Sequence, residues 1–370
     1  MSQSRTFRSA VAGAVALVAT LSGLALAPNS SRHLVRAQAE PMIQAEAASP
    51  TQPPGFSLGA IQASYGLSTS PYAGAGQTIA MVDAFDNPTV ANDLTTFDAY
   101  WGLPVCGSAC FTKVDQNGGT NYPSQAPSNW SLEIALDVEW AHAIAPDAHI
   151  LLVEAASSNM SDLLVAERYA GAHAGYVSNS WGYPEFSGET ADDTAFADPG
   201  VSYFASVEDS PGKTQYPATS PNVVAVGGDQ LTSSGIIPWA SGGGGCSWFE
   251  PAFSGEASVA SEAGCSGNQS TPEVSADAVG IPVFDASRWS DVAGTSFATV
   301  LWAAAAADSG RLVTNEAIAS GSIPLHPVIG GTLLRTGFGD LGAIPRTAGE
   351  FVNMVYAEVA VVSPGVESTI

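Results

Sequence analysis

A serine near the end of the chain stands where a helix should begin. Gly294-Thr295-Ser296 precedes FATVLWAAAAA, an apolar, alanine-rich segment of strong helix propensity. At a helix N-terminus the Ser296 hydroxyl would lie at the positive end of the helix dipole, beside backbone N–H groups that can stabilise an oxyanion. This placement favours nucleophilic attack on a carbonyl group. An ordinary helix cap is the alternative, and caps are the commoner use of such a tripeptide.

Two carboxylates lie four residues apart in a segment whose pattern predicts a helix. Glu133 and Asp137 belong to the run Glu-Ile-Ala-Leu-Asp, so they share one face of that helix. Like charges at this spacing repel, and the pair becomes reasonable if the two carboxyls share a proton and one acts as a base. A solvated helix face, with Glu139 nearby, is the alternative. The apolar residues between the two instead indicate a substantially buried helix.

The elements that must position these side chains follow from alternating apolar runs and helix-like stretches. Short apolar runs separated by helix-length segments favour a parallel sheet with helices packed on it, and hence one α/β domain. Strands are predicted at 78–83, 149–154, 176–180, 201–206 and 223–226, and helices at 89–100, 132–145 and 160–174. Ligands bind such sheets beyond the carboxyl ends of the strands, so chemistry is expected just after each run.

The composition is that of a folded, acidic protein. The 370 residues include 11 Lys and Arg against 35 Asp and Glu, a formal charge of -24, and 45% are hydrophobic. This apolar content excludes a disordered chain. Binding to a phosphate backbone depends on Lys and Arg, so the charge balance excludes nucleic acid as a partner.

The N-terminus has the pattern of an export signal. Arg5 and Arg8 precede an apolar run over 10–27, which predicts a secreted protein with no stable membrane insertion after signal removal. A retained anchor is the alternative, because eighteen residues are barely enough to span a bilayer. Small residues permit cleavage after Ala27 or Ala39, so 1–39 is the signal region. Residues 40–56 are rich in Pro, Ala, Ser and Gln and are predicted to form a flexible leader.

The four cysteines form two pairs that are close in sequence. Cys106 lies near Cys110, and Cys246 lies near Cys265. An exported chain can close both pairs as short-loop disulfides. A metal site is the alternative, but no histidine lies near either pair at the spacing of a zinc module.

These residues and their neighbours resemble the sedolisin family of serine-carboxyl peptidases. The resemblance covers residues 57–307 and implies a subtilisin-like three-layer α/β fold, with a mainly parallel central sheet flanked by helices. It also implies endopeptidase activity on protein or peptide substrates. The motifs that carry it are SYGL (64–67), GQTIAMVDAFDNP (76–88), AHAIAP (141–146), VSNSWG (177–182), YFASVEDSPG (203–212), SPNVVAVGG (220–228), GGGGCSWFEPAF (242–253), TPEVSADA (271–278) and GTS (294–296).

The resemblance assigns a role to each site residue. It makes Ser296 the nucleophile, Glu133 its general base and Asp137 the partner that orients Glu133 and shares its proton. Asp209 matches the family's oxyanion aspartate, which donates a hydrogen bond only when protonated. Activity is therefore expected in acid, near pH ~3 to 5. The segment expected to pair with substrate backbone is Ser180, Trp181 and Gly182.

The sequence departs from the family pattern in several places. Glu208 replaces the glycine that normally precedes the oxyanion aspartate, which would strain the turn if its φ is positive and would add a carboxylate beside Asp209. Val300 replaces a proline in the helix after Ser296, with a modest loss of stability expected. The long folded propeptide of the family is also missing.

The region 308–370 diverges from the family, whose C-terminal region supplies a calcium site. Calcium is expected from the resemblance, but its Asp-Ile or Asp-Val pair is missing and 337–340 only approximates the family's Gly-x-Gly-x-Asp loop. Calcium takes about six oxygen ligands, and this set is not recognisable here. No metal ligand is therefore predicted.

A histidine-dependent subtilisin is the nearest alternative enzyme. It would use Asp83 as the acid, His142 as the base and Ser296 as the nucleophile. His142 lies in AHAIAP rather than in the His-Gly-Thr-His type of stretch that subtilisins use, which disfavours this alternative.

A non-catalytic secreted binding protein that retains the peptidase fold is the other alternative. The altered turn before Asp209 and the diverged C-terminal region motivate it. In either case a monomer is expected.

Overall fold

The structure is a computed structural model that describes residues 37–49, 52–342 and 344. Of the predicted signal region 1–39, residues 1–36 lie outside these residues. None of the helices in the described ranges combines the length and the apolar character needed to cross a membrane. The helices are Leu58–Tyr65 (α1), Val90–Trp101 (α2), Ser128–Ile144 (α3), Met160–His173 (α4), Ala257–Glu262 (α5), Thr295–Ser309 (α6), Asn315–Ala319 (α7) and Leu333–Thr336 (α8), with a 3-10 helix at Glu189–Phe196.

The strands follow from the amino terminus to the carboxyl terminus. Those of the first half are Glu40–Pro41 (β1), Gln44–Ser49 (β2), Thr78–Ala84 (β3), Phe111–Asp115 (β4), His149–Ala155 (β5), Tyr176–Asn179 (β6), Trp181–Pro184 (β7), Ser202–Ser206 (β8) and Gln215–Tyr216 (β9). Those of the second half are Val224–Thr232 (β10), Gly235–Pro238 (β11), Gly245–Pro251 (β12), Asn268–Thr271 (β13), Val274–Asp277 (β14), Val279–Asp285 (β15), Arg288–Ala293 (β16), Leu325–His326 (β17) and Asp340–Leu341 (β18).

A ten-stranded sheet lies at the centre of the fold, in the order β17-β18-β14-β10-β8-β6-β3-β5-β4, with β11 paired to β10. Neighbours from β18 to β4 are parallel. β17 and β11 add antiparallel pairs. This arrangement confirms the predicted mainly parallel sheet.

Both faces of the sheet are covered by helices. Along β3, Ile79 and Met81 belong to the apolar cluster that includes α3 and α6, whereas Ala80 and Val82 belong to the cluster that includes α4. Successive strand residues point to opposite faces, so this alternation requires an apolar layer on each side. The three-layer fold class is thereby confirmed.

The predicted elements recur with small shifts at their ends. The three predicted helices appear as α2, α3 and α4, and the five predicted strands as β3, β5, β6, β8 and β10. The largest shift at a start is in α3, which begins at Ser128 rather than Leu132 because Pro127 occupies its N-cap position. Proline is favoured near a helix start, because it has no backbone N–H and cannot donate a hydrogen bond to a preceding turn.

The prediction of a flexible leader over 40–56 is wrong for residues 40–49. β1 pairs antiparallel with β7, and β2 pairs antiparallel with β16. The segment QAEAAS of β2 has no apolar alternation of its own. Its order comes from backbone hydrogen bonds to an existing strand edge, which composition does not reveal.

The C-terminal segment up to 342 packs on the same domain. The predicted boundary at 307 falls inside α6, and β18 adds a parallel strand beside β14. Two-residue strands such as β17 and β18 are too short to produce a periodic pattern.

Both predicted disulfides are present. They join Cys106 to Cys110 and Cys246 to Cys265. The alternative of a cysteine metal site is therefore excluded, because all four thiols are oxidised.

Candidate active site

Ser296 lies in the first turn of α6, where α6 packs against α3. Its Oγ is 2.9 Å from Glu133 Oε2, and both side chains are fully buried. The two residues are 163 positions apart in the chain. The structure thus brings together the predicted hydroxyl and the predicted carboxylate at hydrogen-bond distance.

Asp137 lies one helical turn beyond Glu133 and is held by the predicted substrate-binding segment. Ser180 Oγ donates a hydrogen bond to Asp137 Oδ1 over 2.8 Å. The other oxygens, Asp137 Oδ2 and Glu133 Oε1, are buried without a hydrogen-bond partner among the described residues. Two such oxygens one turn apart on a helix are positioned to share a proton.

Asp83 is a third carboxyl beside this pair. It ends the β3 strand, is fully buried, and has no partner for either oxygen in the described part of the chain. Burial raises its pKa to about 7. Burial, and then the charges of Asp137 and Asp83, raise the pKa of Glu133 well above its ordinary value. Three neighbouring buried carboxyls cannot all be ionised, so the group retains protons well above pH 4.

Asp209 is cradled by the residue that precedes Ser296. Its Oδ1 accepts hydrogen bonds from the Thr295 N–H at 2.9 Å and the Thr295 hydroxyl at 3.0 Å. Its Oδ2 is buried and unpartnered within the described ranges. Burial raises the pKa of Asp209 to about 7, with the Thr295 hydrogen bonds opposing and the Glu208 charge adding to the shift. In acid, Oδ2 is therefore a protonated group that can donate a hydrogen bond.

Glu208 has the strained backbone that its position in the turn predicts. Its φ is 137°, a conformation that costs a side-chain-bearing residue about 1–3 kcal/mol. Gln215 Nε2 donates to its carboxylate over 2.9 Å, and the Gly243 N–H donates to its carbonyl over 2.7 Å. A Cβ on Gly243 would lie 2.5 Å from the Glu208 Cβ, so only glycine permits this approach. The neighbouring structure therefore holds Glu208 in place.

The leader occupies the groove beside Ser296. Glu40 and Pro41 pair antiparallel with Gly182 and Trp181, and the Met42 N–H donates to the Ser180 carbonyl over 3.1 Å. Ser180, Trp181 and Gly182 thus accept an added strand, as predicted for substrate, but here from the chain itself.

The carbonyl of Met42 points at the nucleophile candidate. The Met42 carbonyl oxygen accepts a hydrogen bond from the Ser296 N–H over 3.3 Å, and the same oxygen lies 2.6 Å from Ser296 Oγ. A Cβ on Gly294 would come within 2.1 Å of this carbonyl oxygen. The glycine of the Gly-Thr-Ser motif is therefore needed for a peptide carbonyl to reach Ser296.

His142 does not take part in this site. Its Nδ1 lies 2.7 Å from Asp98 Oδ1, and both residues are buried. The hydrogen-bond partners of Ser296 Oγ are instead Glu133, Met42 and Ser180. The histidine-dependent alternative is thereby excluded.

The near-miss loop at 337–340 brings Asp340 beside Asp229. The Gly339 carbonyl accepts a hydrogen bond from the Ser275 N–H at 3.0 Å, whereas Asp340 Oδ2 and both Asp229 carboxyl oxygens are buried without a hydrogen-bond partner among the described residues. Calcium takes six to eight oxygen ligands, and calcium binding, which the resemblance implies, stays a prediction. Over residues 37–49 and 52–342, the grouping with metal-ligand spacing is Cys106, Cys110 and His142, whose cysteines form a disulfide.

Sequence reasoning missed three participants in this geometry. Asp83 carries a signal, because it ends a predicted central strand, yet the sequence gives it a role only in the histidine-dependent alternative. Thr295 lies in the quoted motif, but nothing in the sequence links it to Asp209. Met42 has no signal, because its place depends on β1 and β2 finding strand edges.

The fold and these side chains define a subtilisin-like α/β protein with a buried serine–carboxyl site. Pseudomonas sedolisin, a serine-carboxyl proteinase solved with two molecules of pseudo-iodotyrostatin, has the same fold. The TM-score is 0.66 at 23% identity, covering 83% of this chain and 99% of that one. At this identity the likeness establishes the fold alone.

Kumamolisin from Bacillus sp. (strain MN-32) is 30% identical over 181 residues, which are 44% of this chain and 32% of that protein. The chain thus spans about a third of the length of this curated relative. No protein-family model matches the chain. The likeness to kumamolisin agrees with the resemblance that the motifs predict, and the likeness to Pseudomonas sedolisin confirms the fold that this resemblance implies.

Proposed function

We propose that the chain is an exported serine-carboxyl endopeptidase that hydrolyses peptide bonds of proteins in acid. The observation that carries this proposal is the 2.9 Å contact between Ser296 Oγ and Glu133 Oε2 at the start of a buried helix. The hydroxyl has a base, the base has a proton-sharing neighbour in Asp137, and the helix start supplies backbone N–H groups. An ordinary helix cap needs none of these partners.

The reaction proceeds by acyl transfer. Ser296 Oγ attacks the substrate carbonyl as Glu133 takes its proton, and the proton shared with Asp137 compensates the charge within the pair. The developing oxyanion accepts hydrogen bonds from the Ser296 N–H and from protonated Asp209. Glu133 then protonates the leaving amine, and water hydrolyses the acyl-enzyme by the reverse proton path.

The two carboxyl requirements set the pH window. Asp209 must be protonated, and burial places its pKa at about 7, so activity is lost as pH rises through about 7. The Glu133–Asp137 pair must have lost one of its protons, which sets the acid limb. Activity therefore belongs to the acid side of neutrality.

Export and substrate class complete the proposal. The charged and apolar pattern of 1–27 supports secretion, and the strand edge at 180–182 supports an extended protein or peptide as substrate. The domain needs no partner chain to assemble Ser296, Glu133 and Asp137, which supports a monomer.

The test is hydrolysis of an acid-denatured protein by the purified chain at pH 4 and at pH 8, with Ser296→Ala as control. We expect hydrolysis at pH 4, little at pH 8, and none by the variant. Folded wild-type protein that hydrolyses nothing but binds peptides would favour the non-catalytic binding protein instead. Circular dichroism of both proteins establishes that they are folded.

A further inference from the structure

We propose that Glu208 and Gln215 make the chain specific for substrates with a lysine or an arginine immediately before the cleaved bond. The proposal rests on the proposed function and names its substrate class. Its basis is a pair of buried acceptor oxygens, one from each side chain, beside the groove that receives an added strand. Neither oxygen has a hydrogen-bond partner or a paired cation among the described residues.

A cleft opens beside the groove where two neighbouring strands end. β6 and β8 are parallel partners, with Asn179 opposite Ala205. The chain leaves β6 through Ser180 into β7, and it leaves β8 into the turn that carries Glu208. Segments that diverge beyond the carboxyl ends of adjacent strands leave a crevice, which is where sheets of this kind bind ligands.

Gln215 connects the two walls of this cleft. A Cβ on Gly182 would lie 1.8 Å from Gln215 Oε1 and 2.7 Å from Gln215 Cδ, so the glutamine side chain lies directly against the substrate-binding segment. On the other wall, Gln215 Nε2 donates to Glu208 Oε1 over 2.9 Å. The absence of a side chain at Gly182 is therefore what admits the glutamine.

The leader shows which substrate side chain faces this pair. Glu40 is paired with Gly182, and Met42 lies two residues further along the leader. Paired residues of antiparallel strands, and residues two apart along one strand, point to the same face. The Met42 side chain thus lies on the face that Gln215 covers, and Met42 is buried at 4% exposure. Because the Met42 carbonyl meets Ser296 Oγ, this side chain takes the place of the residue before the cleaved bond.

The cleft offers acceptors for which methionine has no donor. Glu208 Oε2 and Gln215 Oε1 are buried without a hydrogen-bond partner in the described part of the chain. Glu208 is 9% exposed, and the ion pairs over the described ranges involve Lys113 and His142 instead. Lys213, the basic residue nearest to Glu208 in sequence, is exposed. A buried carboxylate without a partner costs free energy, whereas a bound ammonium or guanidinium group supplies both the opposite charge and the donors.

Lysine and arginine also match the shape of the side chain that occupies this position. Their stems are unbranched, as methionine is, and each carries its charge beyond the length of the methionine side chain. Norleucine has the same shape as methionine and no donor. A glutamate at this position would face Glu208 and be rejected by charge repulsion.

The first experiment compares quenched peptides at pH 5 that differ only in the residue before the cleaved bond, which is lysine, arginine, norleucine or glutamate. We expect kcat/KM for lysine and arginine to exceed that for norleucine by at least about tenfold, with glutamate cleaved least. In Glu208→Gln the ratio of lysine to norleucine should fall by about tenfold, because the change keeps the shape and removes the charge. The matched control Asp340→Asn, at a buried carboxyl outside the cleft, should keep the wild-type ratio. A merely structural role of Glu208 would lower both rates together and leave the ratio unchanged.

The second experiment uses the strand that already lies in the groove and needs no catalysis. In the Ser296→Ala protein, Met42→Lys places an ammonium group in the cleft. Urea unfolding at pH 6 should show that Met42→Lys loses less stability beside Glu208 than in Glu208→Gln, with a coupling of about 5- to 100-fold in the unfolding equilibrium constant. Met42→Leu in the same two backgrounds should show no coupling.

The outcomes separate this proposal from the function on which it rests. Wild-type protein that cleaves lysine and norleucine peptides equally well would overturn the specificity and leave the peptidase standing. Folded protein that cleaves no peptide, yet shows the coupling between Met42→Lys and Glu208→Gln, would overturn the peptidase and support the cation-binding cleft. Absence of the coupling together with absence of the preference would overturn the cleft.

Discussion

The Ser296 cluster and the Asp340 cluster, both within the described residues, each combine buried carboxyls with a serine, yet of these two the Ser296 cluster alone has the geometry of an active site. The Ser296 cluster consists of Asp83, Glu133, Asp137 and Ser296. The Asp340 cluster consists of Asp229, Asp277, Asp340 and Ser275, on the neighbouring strands β10, β14 and β18. Burial raises the carboxyl pKa values in both, to about 11 at Asp340, where the charge of Asp229 adds to it.

The difference lies in the backbone around each serine. The Ser275 N–H is taken by the Gly339 carbonyl, and the Ser275 carbonyl accepts the Trp302 indole N–H at 2.9 Å. Ser275 therefore lies inside a hydrogen-bonded strand with no N–H available for an oxyanion. Ser296 begins a helix, and its N–H donates to the carbonyl of Met42 in the leader strand rather than to a strand of the central sheet. Residue types and raised pKa values do not distinguish the two clusters, whereas a backbone donor that lies outside the sheet hydrogen bonding does.

The largest expected difference is in turnover. Glu133→Gln removes the proton acceptor from Ser296, so kcat should fall by about 10²- to 10⁴-fold. The matched change Asp340→Asn replaces a carboxyl that is already protonated with another neutral side chain. It contacts no reacting atom, so kcat should stay within about twofold of wild type. Initial rates on a quenched peptide at pH 4 measure both. Equal losses in the two variants would remove the distinction between the clusters.

The next largest effect is expected at Asp209, whose proton takes part in the reaction by donating a hydrogen bond to the oxyanion. Asp209→Ala removes an oxyanion donor and should lower kcat by about 10²- to 10³-fold. Asp209→Asn retains an N–H donor that needs no added proton, so the loss of activity near pH 7 should move to higher pH. The pH–rate profiles of wild type and both variants give the answer. An unchanged alkaline limb in Asp209→Asn would show that another group sets it.

The Asp340 cluster should affect stability rather than rate. A carboxyl whose folded pKa is raised binds a proton that the unfolded chain releases, so its stabilising effect is present below the ordinary carboxyl pKa and declines as pH rises. The free energy of unfolding should therefore fall from pH 4 to pH 8. Asp340→Asn removes the one proton that this carboxyl contributes, so the free energy of unfolding should fall less steeply with pH, by about 1.4 kcal/mol per pH unit. Urea unfolding across this range measures it, and parallel pH dependences would contradict the prediction.

The smallest effect on stability is expected at Glu208. Glu208→Gly relieves the positive φ and should raise the free energy of unfolding by about 1 kcal/mol. It also removes the charge that adds to the raised pKa of Asp209, so the alkaline limb should move slightly to lower pH. The control Glu208→Gln removes the charge and keeps the strain. A gain in stability in both variants would assign the effect to charge rather than to backbone.

The central fold could be predicted because its signals are local and periodic. TIAMVD and HILLVE are continuous apolar runs, as strands buried on both faces must be, and they appear as β3 and β5. The spacing of Glu133 and Asp137 sufficed to place both on one helix face. The quoted motifs then brought Ser296 and Asp209 into the same hypothesis.

The leader and the C-terminal strands could not be predicted, because their order is not local. β2 has a sequence that favours no structure by itself, and its position is set by the free edge of β16. Likewise Asp340 resembled a near-miss calcium ligand, whereas its neighbours Asp229 and Asp277 come from strands more than sixty residues earlier. Edge pairing and buried carboxyl contacts depend on the assembled sheet, and no spacing in the sequence encodes them.

The most direct test asks which residue carries the acyl group. The protein would be mixed with a peptide ester at pH 4, quenched in strong acid within the first turnovers, digested, and mapped by mass spectrometry. A serine–carboxyl mechanism predicts the acyl mass on Ser296, none on Ser275, and none in Ser296→Ala or Glu133→Gln. Turnover by a folded Ser296→Ala protein, or an acyl group on any other residue, would contradict it.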